Sequence, residues 1–196
     1  MTPQTCILIG APVDCGKRRL GCLMGPDAYR AAQLPEALRG LGHQVIDRGN
    51  LAPAPHATDA PDAFLHKRNE TIGWTETLMH AAETESAHGV PVFMGGDHAL
   101  ALGTVPGVAR FAAAQNRPLF VLWLDAHTDY HTPETTDSGN LHGTPVGYFT
   151  GRAGFDGFPE ITHPVPLENI AMIGLRSVDA QERAALDGTA MARHDM

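Results

Sequence analysis

Lysine is scarce in this chain. Lys17 and Lys67 are the only two among 196 residues, and the formal net charge is -8. The arginines do not gather into a basic stripe. A protein that tracks a phosphate backbone needs one to displace counterions, so nucleic acid is not an expected partner. No apolar run approaches the roughly 20 residues a membrane-spanning helix requires. Met1–Gly10 has neither the basic start nor the long apolar stretch of a secretory leader. A cytoplasmic protein without a membrane partner is therefore expected. The cysteines, Cys6, Cys15 and Cys22, are three and crowded near the start, so they make no disulfide framework. No Cys-x-x-Cys pair suggests zinc, and no Gly-x-Ser-x-Gly elbow supports a serine hydrolase. There is no internal repeat.

Hydrophobic residues make up 43% of the chain, enough for a sizeable core in one domain spanning 1–196. Short, near-continuous apolar runs recur: Cys6–Ile9, Gln44–Ile46, Pro91–Met94, Leu119–Leu124 and Ile170–Ile173. Such runs are the mark of parallel strands buried on both faces. Between them lie candidate helices. One covers Pro26–Leu38, to be kinked or ended at Pro35. Others cover Glu70–His88, Ala99–Asn116 with an interruption at Pro106, and a segment beginning at an N-cap, Asp179. The polar stretches Leu51–Pro61 and Thr132–Pro145 read as loops, and Asp187–Met196 shows no strand character. Strand and helix in alternation predict a three-layer α/β/α fold with a mainly parallel central sheet.

The chemistry concentrates at two predicted strand ends, where ligands bind in parallel α/β sheets. Asp125-Ala126-His127-Thr128-Asp129 follows the strongest apolar run. An extended backbone there would point Asp125, His127 and Asp129 to one side. Gly95-Gly96-Asp97-His98 ends another run, and its glycines permit a sharp turn. If the two strands are neighbours, His98 joins the aspartates. Imidazole and carboxylate donors without thiolate suit Mn²⁺, with Zn²⁺, Fe²⁺, Co²⁺ and Ni²⁺ also compatible. Asp125 is central and has two oxygens, so it can bridge a pair of ions that share and acidify a water.

These segments resemble the first two metal motifs of the arginase/agmatinase (ureohydrolase) family. Ser138-Gly139-Asn140-Leu141-His142-Gly143 resembles the arginase substrate loop. Ile173-Gly174-Leu175-Arg176 with Val178-Asp179, and Gly25-Pro26-Asp27-Ala28, are also family-like. The resemblance implies a hydrolase of linear amidines with two Mn²⁺ ions, one held by His98, Asp125 and Asp129 and the other by Asp125 and His127. It implies that His142 relays protons, a task suited to a group with a pKa near neutrality. Ser138, Asn140, Asp179, His131 and, one helical turn on, Glu182 would hold the amino-acid end of the substrate. Arginine, cleaved to ornithine and urea, is the leading substrate. N-hydroxyarginine, agmatine and formimidoylglutamate are rivals, and trimers or hexamers are the usual assembly.

The chain departs from that pattern in two places. His131 stands where arginases usually have Asn. A later Asp-x-Asp that completes the metal ligands is absent, so the expectation is a chain incomplete at its C-terminus, missing its last strands, with weakened metal sites and poor activity. A non-catalytic subunit that pairs with a full-length relative is the competing reading. Bland roles are expected elsewhere. Asp97 braces its loop, Cys6 packs in the first strand, and Trp123 and Phe120 belong to the core.

Overall fold

The computed structural model describes residues 2–196. Parallel strands alternate with helices, giving the α/β architecture that the apolar runs imply. The chain begins with β1 (Thr5–Ala11), α1 (Gly25–Ala31), α2 (Leu34–Gly40), β2 (Gln44–Asn50) and α3 (Arg68–Ser86). It continues with β3 (Val90–Gly95), α4 (Ala101–Ala114), β4 (Val121–Leu124) and α5 (Pro145–Phe149). It ends with β5 (Ile170–Leu175), α6 (Ala180–Leu186) and β6 (Ala192–Asp195).

Strand pairing differs from a single central sheet. The described strands form two three-stranded parallel sheets, ordered β2-β1-β3 and β4-β5-β6. β3 and β4 are therefore not neighbours; each is an edge strand whose inner backbone groups meet no strand.

The β1 run is buried on both faces, with Ile7, Leu8 and Ile9 at the centre of its sheet. β4 behaves differently. Trp123 is buried, whereas Leu122 and Leu124 are 60% and 70% exposed. Phe120, just before the strand, is also exposed, which corrects its expected place in the core. Ile173, paired with Leu124, extends the exposed apolar row. Only one face of this sheet is covered, although parallel sheets ordinarily bury both.

Other local corrections have backbone causes. The expected Pro26–Leu38 helix is two helices, because Gln33 adopts a left-handed φ of 61° and Pro35 sits in the first turn of α2. α4 runs through Pro106 without a break. Burial on both sides of the proline outweighs one lost hydrogen bond, and Gly103 and Gly107 let α4 approach α3 closely. A Cβ on Gly103 would stand 2.5 Å from Leu78 Cβ. The Asp187–Met196 stretch does contain a strand. β6 pairs in parallel with β5, and its polar side chains stay largely exposed, so backbone hydrogen bonds and not apolar burial create it.

Candidate metal centre

β3 ends in a turn that folds back over β1. Gly96 N–H donates to Ala11 O (3.3 Å) and Asp97 N–H to Val13 O (2.8 Å). The turn has no room for a side chain, since a Cβ on Gly96 would lie 2.2 Å from Val13 O. The Asp97 carboxylate accepts from Ala99 N–H (2.8 Å) and Gly16 N–H (2.9 Å). Both oxygens are occupied in bracing the loop, and Asp97 thereby caps the short 3-10 turn that presents His98.

The second segment does not continue as an extended strand. β4 stops at Leu124, residues 125–127 bend, and Asp129 lies in the left-handed region with φ 47°. Aspartate tolerates that conformation better than most residues. The aspartates converge because the chain turns, and His127 stands at the open side of the same cavity with its side chain 57% exposed. The expected one-sided placing survives by a different backbone route: Asp125, His127 and Asp129 all line one cavity, brought there by a turn and not by an extended strand.

The convergence is close. His98 Nδ1 lies 3.0 Å from Asp125 Oδ2 and 2.7 Å from Asp129 Oδ2. Yet Asp129 Oδ2, buried from solvent, has no hydrogen-bond donor aligned on it. His127 Nδ1 and its backbone N–H approach the other oxygen of Asp125, at 3.2 and 2.9 Å. Asp125 therefore faces one histidine on each oxygen, as a bridging carboxylate would. Ligand atoms about 2.1 Å from a common ion lie about 3 Å apart. The two His98–carboxylate distances match that spacing, the ligand atoms of His98, Asp125 and Asp129 all lie within 4.8 Å of one another, and two carboxylates around one imidazole favour a cation. The residues fit a divalent ion.

Electrostatics follow from this crowding. Burial acts to lower the His98 pKa, but the carboxylates of Asp129, Asp125 and Asp97 outweigh it and the net shift is upward. Burial acts to raise Asp125, but the His127 backbone N–H and the charge of His98 hold it below the usual carboxylate range. For His142 burial prevails over the attraction of Asp97 and Asp129, and its pKa falls.

A cavity of about 450 Å³ opens over the trio. His142 lines it, anchored by its backbone N–H on Gly16 O (2.9 Å). His131, Ser138, Asp179 and Glu182 form its far side. His131 Nε2 and Asp179 Oδ2 are 2.6 Å apart, and the other ring nitrogen of His131 meets Thr135 Oγ1 at 3.1 Å. Glu182, 5% exposed, accepts from Tyr130 N–H (3.0 Å) and ties α6 to the metal loop. Asn140 is not in the lining; its Oδ1 accepts from Arg18 N–H (3.0 Å). Gly143, the last residue of the quoted substrate-loop motif, and Ser177 also line the cavity; sequence reasoning passed over Ser177. Ser177 sits inside the quoted Arg176–Asp179 stretch, which was the available signal.

Comparison with known proteins identifies a family and a fold. A family model described as "Arginase family" matches residues 4–196. An arginase from Brucella melitensis is 52% identical over 193 residues, covering 97% of this chain and 63% of the relative. The solved arginase of Bacillus subtilis superposes with a TM-score of 0.83 at 32% identity, covering 98% of this chain and 63% of that one. That of Bacillus caldovelox superposes at 0.84 and 31% identity, covering 100% and 65%. The chain thus spans less than two thirds of the length of these relatives.

Proposed function

The chain belongs to the arginase family, and from that premise we propose that its cavity hydrolyses the guanidinium group of arginine to ornithine and urea with two Mn²⁺ ions. One observation carries the reading: His98 Nδ1 lies within 3.0 Å of a carboxylate oxygen from both Asp125 and Asp129 at the cavity floor. His98, Asp125 and Asp129 would hold one ion, and the second oxygen of Asp125 with His127 the other. Bound there, the pair supplies a nucleophile at neutral pH by lowering the pKa of a shared water.

This chain's own residues account for the remaining steps. His142, kept neutral by burial, can accept a proton at the cavity wall and return it to the departing amine. Asp129, which lines the same cavity, can hold the attacking water with the carboxylate oxygen turned away from His98. Asp179 and Glu182 offer negative charge to the substrate's α-amino group, and Ser138 and His131 offer donors to its carboxylate. That polar end favours arginine over agmatine, which lacks a carboxylate. N-hydroxyarginine and formimidoylglutamate are the alternatives within the class.

The chain contributes few anionic ligands for two dications, so weak ion binding and low turnover are part of the reading. Assembly as a trimer or hexamer and a cytoplasmic setting are proposed on the family resemblance. Among the described residues no helix is long and apolar enough to cross a membrane. Urea release from arginine and agmatine, each with Mn²⁺, tests the proposal. Release from arginine that disappears in Asp125→Asn supports it; agmatine preference defeats the substrate choice. A second reading, a non-catalytic subunit of a larger assembly, draws support from the exposed row Phe120, Leu122, Leu124 and Ile173.

A further inference from the structure

Trp123 precedes Asp125 by two residues and is 5% exposed. Its indole lies flat against the His98 imidazole, with ring centroids 4.5 Å apart and planes inclined by 24°. Phe149 backs the indole at 5.8 Å between centroids. The indole N–H is buried and has no acceptor among the described residues. An unpaired buried donor is unfavourable, so the position exploits the ring face and not the polar group.

A metal-binding histidine is ordinarily oriented by a hydrogen bond on its second ring nitrogen. Among the described residues no protein acceptor engages His98 Nε2. The ring nonetheless points Nδ1 between Asp125 and Asp129, and the indole stacks on its face. We propose that Trp123 is a positioning residue: its face takes the place of the missing hydrogen bond and fixes the His98 ring plane for ion capture. Offset or near-parallel aromatic stacks supply such orientation without polar partners. The inference rests on the metal reading above.

Two measurements test it, one without metal. In the metal-free wild-type chain, the His98 imidazole proton resonances, assigned by their loss in His98→Asn, are expected upfield of ordinary values through the indole ring current. In Trp123→Met, which keeps bulk but removes the aromatic face, they return to ordinary positions. Unshifted His98 resonances in the wild type overturn the inference. In the second measurement, Mn²⁺ affinity is read by calorimetry. Trp123→Met is expected to weaken binding about tenfold, and Trp123→Phe to stay within about threefold, since phenylalanine keeps a face and removes the orphaned donor. Equal affinity in Trp123→Met, or equal loss in both variants, overturns the inference. If Trp123→Met does not fold, Trp123→Phe decides: a preserved upfield shift with near-native affinity supports it, and their loss defeats it. Wild-type protein that shows the upfield shift but binds no Mn²⁺ sinks the metal reading instead, and the ring-current signal separates the two failures.

Discussion

His98 Nδ1 sits 2.7 Å from Asp129 Oδ2 with no hydrogen bond aligned between them. Together with Asp125 Oδ2, 3.0 Å from the same ring nitrogen, these atoms make a donor set that fits a divalent ion. Mn²⁺ should therefore stabilise the fold. With free ion at 100 times its dissociation constant the gain is about 2.7 kcal/mol, seen as a rise in Tm that EDTA reverses. Asp129→Asn is expected to abolish most of that rise; an unchanged rise would place the ion elsewhere.

The two half-buried histidines of the cavity should titrate on opposite sides of the ordinary value. In the metal-free chain His98 is shifted above 6.5 and His142 below it. His98 then contributes stability that is complete below 6.5 and lost as pH rises through its raised value. His142 does the reverse: its contribution is present above 6.5 and lost as pH falls through its depressed value. NMR titration of the imidazole rings checks the order. Because the His98 ligand must shed its proton, Mn²⁺ affinity should fall as pH drops through the raised His98 pKa.

Gly96→Ala should disrupt the site through the backbone. The new methyl meets Val13 O at 2.2 Å and Val13 N at 2.4 Å, neither of which can swing away. A loss of about 1–3 kcal/mol is expected from such overpacking. Chemical denaturation measures it, and Mn²⁺ binding should weaken alongside as the His98 turn shifts.

Asp179 separates a structural role from a binding one. Its Oδ1 accepts from Gln181 N–H (2.8 Å) and Glu182 N–H (2.9 Å), capping α6. Asp179→Ala is expected to cost about 1 kcal/mol, whereas Asp179→Asn keeps the cap and should cost little. Thermal unfolding distinguishes them. If Asp179→Asn is nonetheless impaired in substrate affinity, the charge and not the cap serves the cavity.

The uncovered sheet face makes a different kind of test. Leu122 and Leu124 protrude from an edge strand, a recognised template for association. Leu122→Thr with Leu124→Thr should leave stability within about 0.5 kcal/mol while reducing concentration-dependent self-association in sedimentation experiments. A marked loss of stability would mean that the face is covered in solution.

The candidate site was legible in residue types more than in directions. His98, Asp125 and Asp129 could be paired from two glycine- and aspartate-marked strand ends, because those ends are where parallel sheets leave their side chains free. His127 shares the cavity with Asp125 and Asp129 as the alternation implies, but the left-handed turn at Asp129 that brings them together depends on packing around the loop. Asn140 belongs to the substrate-loop motif, but that its Oδ1 accepts from Arg18 N–H, 122 residues away in sequence, could not be read from that motif.

The sequence by itself determined the parallel α/β pattern, the placing of donors at strand tips and the absence of thiolate ligands, because short-range apolar patterning and donor chemistry are written locally. Tertiary structure alone decided that β3 and β4 belong to separate sheets, that the polar Ala192–Asp195 stretch pairs with β5, and that Trp123 lies flat on His98. Strand partnership and ring orientation depend on which distant surfaces meet, and only the packed chain brings those surfaces together.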